Sequence, residues 1–99
     1  MNIVDKNINS IKQLCRKHNV AKLYIFGSVL TGKFDQDSDV DLLVTFKPIK
    51  LEKYADNYFD FKFSIEDLLH RHIDLLEEKA IKNPFLKNSI DATKQVIYG

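Results

Sequence analysis

The sequence predicts a small α/β or α+β layer structure, a mixed β-sheet with flanking helices. Three observations point there. Apolar residues recur at helical spacing near both ends and through the middle of the chain. Short β-branched and aromatic runs, each closed by a turn or breaker residue, lie between those segments. Ninety-nine residues with a 44% hydrophobic fraction suit one modest core, and a single domain over 1–99 is expected.

Residues 3–18 place Ile8, Ile11, Leu14 and Cys15 on one face and Lys12, Arg16 and Lys17 on the other, as in an amphipathic helix. His18-Asn19 marks its end, because asparagine tolerates the left-handed cap conformation. Leu23-Tyr24-Ile25-Phe26 reads as a buried strand stopped by Gly27. Residues 28–33 are expected to form a short helical turn, and Phe34–Ser38 a polar loop. Asp39 to Phe46 reads as a second strand, which Pro48 ends. Residues 51–70 form a helix with Tyr54, Tyr58, Phe61, Ile65, Leu68 and Leu69 along a broad stripe. Ile73-Asp74-Leu75-Leu76 is a third strand. A last helix is expected over about 85–98, with Pro84 near its start and Phe85, Leu86, Ile90, Ala92, Val96 and Ile97 as its apolar residues.

Fifteen basic residues nearly balance fourteen acidic ones, a formal charge of +1. That gives no electrostatic footprint for nucleic acid or an anionic membrane. Cys15 is the only cysteine, which excludes an intrachain disulfide and a thiolate zinc cluster. No apolar run approaches the roughly 20 residues of a membrane span, and the N-terminus lacks a secretory signal. A cytoplasmic location is expected.

The chemistry lies in residues 26–44. Asp39 and Asp41 stand two apart on a strand, so they project from one face while Val40, Leu42 and Val44 face the core. Two carboxylates sharing a face repel unless a cation sits between them. Oxygen-only ligands suit Mg²⁺ or Mn²⁺, and two such ions can share a site. Gly27-Ser28 follows a strand and opens a turn. A glycine there lets the backbone approach a phosphate, and exposed N–H groups and the Ser28 hydroxyl can donate to it. Ten residues separate Ser28 from Asp39, enough for the chain to return along the first strand.

Gly27-Ser28, ten residues, then Asp39-Val40-Asp41 on a hydrophobic strand resembles the signature of the DNA polymerase β-like nucleotidyltransferases. The short chain and the Gly-Ser-x-x-x-Gly … Ser-Asp-x-Asp-Leu-Leu-Val form are similar to its minimal members, which are often paired with HEPN-domain toxins. The motif covers residues 26–44 closely, and the order of elements extends the likeness over nearly the whole chain. Either half of the motif alone is weak; the pair at this spacing is specific. The resemblance implies a polymerase-β-like fold and Asp74 as the third carboxylate. It implies two Mg²⁺ held by Asp39 and Asp41, one of them shared with Asp74. It places Gly27 and Ser28 on the nucleotide phosphates, with Lys33 supplying part of a cationic contact. Many minimal members carry an arginine directly after Gly-Ser, where this chain has Val29.

By the same resemblance the chain transfers AMP from ATP to a hydroxyl of a HEPN toxin, as the antitoxin of the pair. One alternative is an antitoxin of the same fold acting by contact, with weak or no catalysis. Another is a small-molecule nucleotidyltransferase of the aminoglycoside type, disfavoured because such enzymes usually carry a second, substrate-holding domain. The association state, homo- or hetero-oligomeric, is open.

Competing motifs fail on particular residues. Asp35, Asp37, Asp39 and Asp41 alternate like an EF-hand loop, but Val40 replaces its glycine and Phe46 its glutamate. Gly27-x-x-x-x-Gly32-Lys33 nears a P-loop, but Phe34 replaces the metal-binding hydroxyl. Asp35 and Asp37 read as solvated loop residues, and His70 and His72 as surface or structural side chains. Cys15 reads as core. Tyr54, Tyr58, Phe59, Phe61 and Phe63 read as packing rather than base-stacking groups. Phe59, Phe61 and Phe63 cannot share one helical stripe, so some should remain exposed as a partner surface.

Overall fold

A computed structural model describes residues 3–27 and 39–99. The expected turn at 28–33 and loop at Phe34–Ser38, with Ser28, Val29, Lys33, Asp35 and Asp37, lie outside the described residues. Elements run α1 (Ile3–Lys6), α2 (Ile8–Lys17), β1 (Val20–Phe26), β2 (Val40–Phe46), α3 (Leu51–Leu69) and β3 (Ile73–Glu77). A 3₁₀ turn (Glu78–Ala80), α4 (Pro84–Thr93) and β4 (Gln95–Tyr98) follow.

The first helical segment divides at Asn7, whose side chain donates to the Ile3 carbonyl at 2.8 Å and so competes with the helical ladder. Ile11 and Cys15 are fully buried, and Ile8 and Leu14 pack against the core. Asn19 ends the segment at φ 61°, the left-handed conformation its side chain tolerates. In α3, Phe61, Ile65 and Leu69 are buried. Tyr54, Tyr58 and Phe61 set their rings edge-on to Phe46. Phe59 and Phe63 stay about half exposed and stack on each other, so the aromatic run divides between core and surface.

The strands form one mixed sheet in the order β3-β2-β1-β4. The β1–β2 and β1–β4 pairs are antiparallel, and β2–β3 is parallel. Parallel neighbours need a long crossover, which α3 supplies. One face of the sheet presents Leu23, Ile25, Val40, Leu42, Val44, Ile73, Leu75 and Ile97 to the core shared with α1, α2 and α3. The other face carries a row of partners Val96–Tyr24–Leu43–Leu76 and, at one end, Phe26–Asp41–Asp74.

The end of the chain departs from the expected helix over 85–98. Asn83 caps α4, accepting from the backbone N–H groups of Phe85 and Leu86, and the helix closes at Thr93. Lys94 is extended, at φ −60° and ψ 147°. Val96 and Ile97 then sit on β4 against β1. Ile97 is 7% exposed and Val96 62%, as on opposite faces of a strand. Ile90 and Ile97 lie seven apart, a spacing that also fits two helical turns. Burying Ile97 against an existing sheet edge is what the sequence spacing did not reveal.

Candidate active site at the Asp41 end of the sheet

Asp41 is the second residue of β2, with Phe26 of β1 opposite it on one side and Asp74 of β3 on the other. Neighbouring strands stand roughly 4.8 Å apart, so two carboxylates share one row of one face. Val40 and Ile73, one residue earlier on each strand, are fully buried on the opposite face and fix that orientation. Asp39 falls just before β2 and keeps the same facing as Asp41 by the period of two. Asp41 is half-buried, while Asp39 and Asp74 are exposed.

Gly27 closes the row from β1. Its φ is +78°, and a Cβ built on it would collide with Asp41 Oδ2 and stand 3.0 Å from Asp41 Cγ. Only glycine accepts that conformation without strain and leaves room for the carboxylate. The sequence pointed to Gly27 for a close approach to phosphate; the described structure adds an approach to Asp41. Ser28 and Lys33, the other expected nucleotide contacts, lie outside the described residues.

His72 is a neighbour the motif did not include. Its Nδ1 is 3.3 Å from Asp39 Oδ2, and its carbonyl accepts the Val40 N–H at 3.0 Å. Backbone pairing therefore brackets Asp39 from the β3 side while the ring meets its carboxylate. The available signal was period: His72 lies two residues before Asp74 and shares its facing.

The donor set is all oxygen, which fits a hard divalent cation rather than zinc in a thiolate or imidazole cage. Among the described residues no group of three or more His, Cys, Asp or Glu side chains is placed to hold a metal ion. Asp39, Asp41 and Asp74 share an end and a face, and Asp39 is drawn toward His72.

The nucleotidyltransferase domain family matches residues 8–97, which include every element from α2 through β4 but the last residue. The chain belongs to that family. This nucleotidyltransferase is 35% identical over 94 residues to a protein provisionally named a protein adenylyltransferase in Methanocaldococcus jannaschii, covering 87% of this chain and 93% of that one. It is 31% identical over 94 residues to the protein adenylyltransferase MntA of Thermococcus cleftensis, covering 88% of this chain and 82% of the relative. Among solved structures it is similar to a provisionally described minimal nucleotidyltransferase, with TM-score 0.78, 26% identity, and 96% and 95% of the two chains covered. A complex of a tri-AMPylated Shewanella oneidensis HEPN toxin with its MNT antitoxin shares the fold at TM-score 0.62 and 18% identity, covering 96% of this chain and 71% of that chain. The minimal nucleotidyltransferase fold expected from residues 26–44 is the fold observed. No helix among the described residues is long and apolar enough to cross a membrane.

Proposed function

We propose that this nucleotidyltransferase transfers AMP from ATP to a hydroxyl of a protein, the HEPN toxin of a toxin–antitoxin pair. The observation that carries this reading is the register of Asp41 against Asp74, beside a bare Gly27 backbone. Two acidic groups in one row with a glycine turn alongside suit a nucleotide–metal complex better than a structural role, since like charges directly opposite destabilise a sheet. Relatives that bear the name protein adenylyltransferase over nearly the same length support a protein acceptor. The AMPylated toxin in the complex of a same-fold antitoxin supports a HEPN partner.

Asp39, Asp41 and Asp74 would hold Mg²⁺, with Mn²⁺ an acceptable substitute. The metal, when bound, would neutralise charge on the triphosphate and on the entering and leaving oxygens. Gly27, Ser28 and Lys33 orient the phosphates. Asp74, on the exposed edge strand, takes the proton from the acceptor hydroxyl as its oxygen bonds to the α-phosphorus. The bond from that phosphorus to the β-phosphate bridging oxygen breaks, and pyrophosphate leaves.

A second reading, neutralisation by contact alone, is favoured by the exposed, mutually stacked rings of Phe59 and Phe63 on α3. One experiment separates the two. The protein is incubated with its candidate toxin, Mg²⁺ and α-labelled ATP, and the label is followed by intact mass. Label on the toxin that disappears with Asp41→Asn supports transfer. A tight, silencing complex that carries no label supports contact.

A further inference from the structure

At the opposite end of β2 from Asp41 lies a hollow of about 530 Å³ that the transfer chemistry does not use. Phe46 lies five positions along the strand from Asp41, about 16 Å at the usual rise. Phe46, Ile49, Leu51 and Tyr54 give the hollow an apolar wall, and Lys47 and Lys79 give it positive charge. The volume lies within the usual range of ligand pockets. Leu51 is 88% exposed at the start of α3, so it covers no part of the core.

Charge around this hollow is segregated in a way the net charge of +1 conceals. Lys47 and Lys79, which line it, are exposed, as are Lys50 and Lys82, each within three residues of the lining in sequence. Two nearby half-buried acids are engaged by hydroxyls: Glu77 accepts from the Tyr54 hydroxyl, and Glu78 from Thr45 Oγ1 at 3.4 Å. Glu52 remains an exposed acid beside Leu51 but does not line the hollow. Lysine stems add apolar surface while their ammonium groups stay in water, so wall and rim together fit an anionic amphiphile.

We propose that this hollow docks an acidic peptide segment that inserts one large apolar side chain between Leu51 and Phe46, with its carboxylates on the lysine rim. Single-stranded nucleic acid fits the lining less well, because it needs open aromatic faces for stacking. The Tyr54 ring is covered by the Lys79 ammonium at 4.7 Å, and Phe46 is edge-on to three aromatic neighbours rather than offering a free stacking platform. An inorganic anion would leave the apolar wall unused. The site stands apart from the carboxylate row and does not depend on catalysis.

The test is selection of a random twelve-residue peptide library, displayed on phage, against the intact protein. The same selection is run on the Lys47→Glu/Lys79→Glu double variant, on Leu51→Asp, and on Asp41→Asn. The expected result is enrichment of net-acidic peptides with one large apolar residue, reduced at least tenfold on the first two variants and unchanged on Asp41→Asn. A second variant on the wall guards against a fold effect of the charge reversals. No enrichment, enrichment of basic or uncharged peptides, or equal enrichment on the lysine and leucine variants overturns the proposal. So does displacement of the selected peptides by a twenty-nucleotide single strand at lower concentration than by free acidic peptide.

Discussion

Gly27 and Asp41 meet where β1 ends, and the carboxylate of Asp41 occupies the space a side chain on Gly27 would need. The same glycine has φ +78°, which an L side chain adopts only with strain. Gly27→Ala therefore carries two costs, backbone strain and displacement of Asp41. The strain alone is about 1–3 kcal/mol. Misplacing a catalytic group by ~1 Å lowers rate on the order of 100-fold. The expected outcome is a lowered melting temperature and a far larger fall in AMP transfer than the lost folded fraction explains. Transfer assayed well below the melting point checks this, and an active Gly27→Ala would detach Asp41 from the reaction.

Asp41 and Asp74 stand in one row on adjacent parallel strands, so their charges oppose each other. Asp74→Asn should raise the melting temperature in chelator and reduce the further rise that Mg²⁺ gives the parent protein. A cation that binds only the folded state stabilises it by RT ln(1 + [L]/Kd), about 2.7 kcal/mol at a hundredfold excess over Kd. Thermal melts across a Mg²⁺ titration read both effects. If Asp74 is the general base, kcat should fall about 10²–10⁴-fold in the same variant. Equal Mg²⁺ stabilisation of parent and variant would remove Asp74 from the metal site.

The carboxylate row was legible because strand period is strict: Asp39, Asp41 and Asp74 each sit beside residues whose burial is obligatory. The left-handed end of the first helical segment was legible at Asn19 for a similar local reason. Contacts between distant segments were not. His72 against Asp39 depends on how β3 pairs with β2, and the hollow by Leu51 on how the 3₁₀ turn returns past α3. β4 was misread because a four-residue strand is too short to show its period beside a helix whose spacing it continues.

The two assignments for the C-terminal segment predict different mutational patterns. On a helix running to residue 98, Val96 and Ile97 would both contribute to the apolar stripe. On β4, Ile97 faces the core and Val96 faces solvent opposite Tyr24. Ile97→Ala should destabilise by about 2–4 kcal/mol, through lost burial and the cavity left behind. Val96→Ala should stay within about 1 kcal/mol, the span of strand propensity at an exposed position. Urea melts of the two variants decide it, and comparable losses would contradict the strand.

Cys15 is fully buried on α2, and burial pushes the pKa of its thiol up to about 12 from its ordinary 9.0. Only the thiolate attacks a disulfide reagent, so labelling at neutral pH should wait on opening of the helix from the sheet. Its rate should follow the population of open states and rise with urea. The same shift fixes a sign for pH. Between about 9 and 12 the unfolded thiol has lost its proton while the folded one retains it. The unfolded state then binds fewer protons, so the contribution of Cys15 to stability falls as pH rises through that window and is complete below it. Cys15→Ala should flatten this part of the stability curve, at the expense of a small cavity. Urea midpoints at pH 8 and pH 10 for parent and variant measure the difference. An unchanged gap between the two proteins at both pH values would mean that the thiol is already solvated in the folded state.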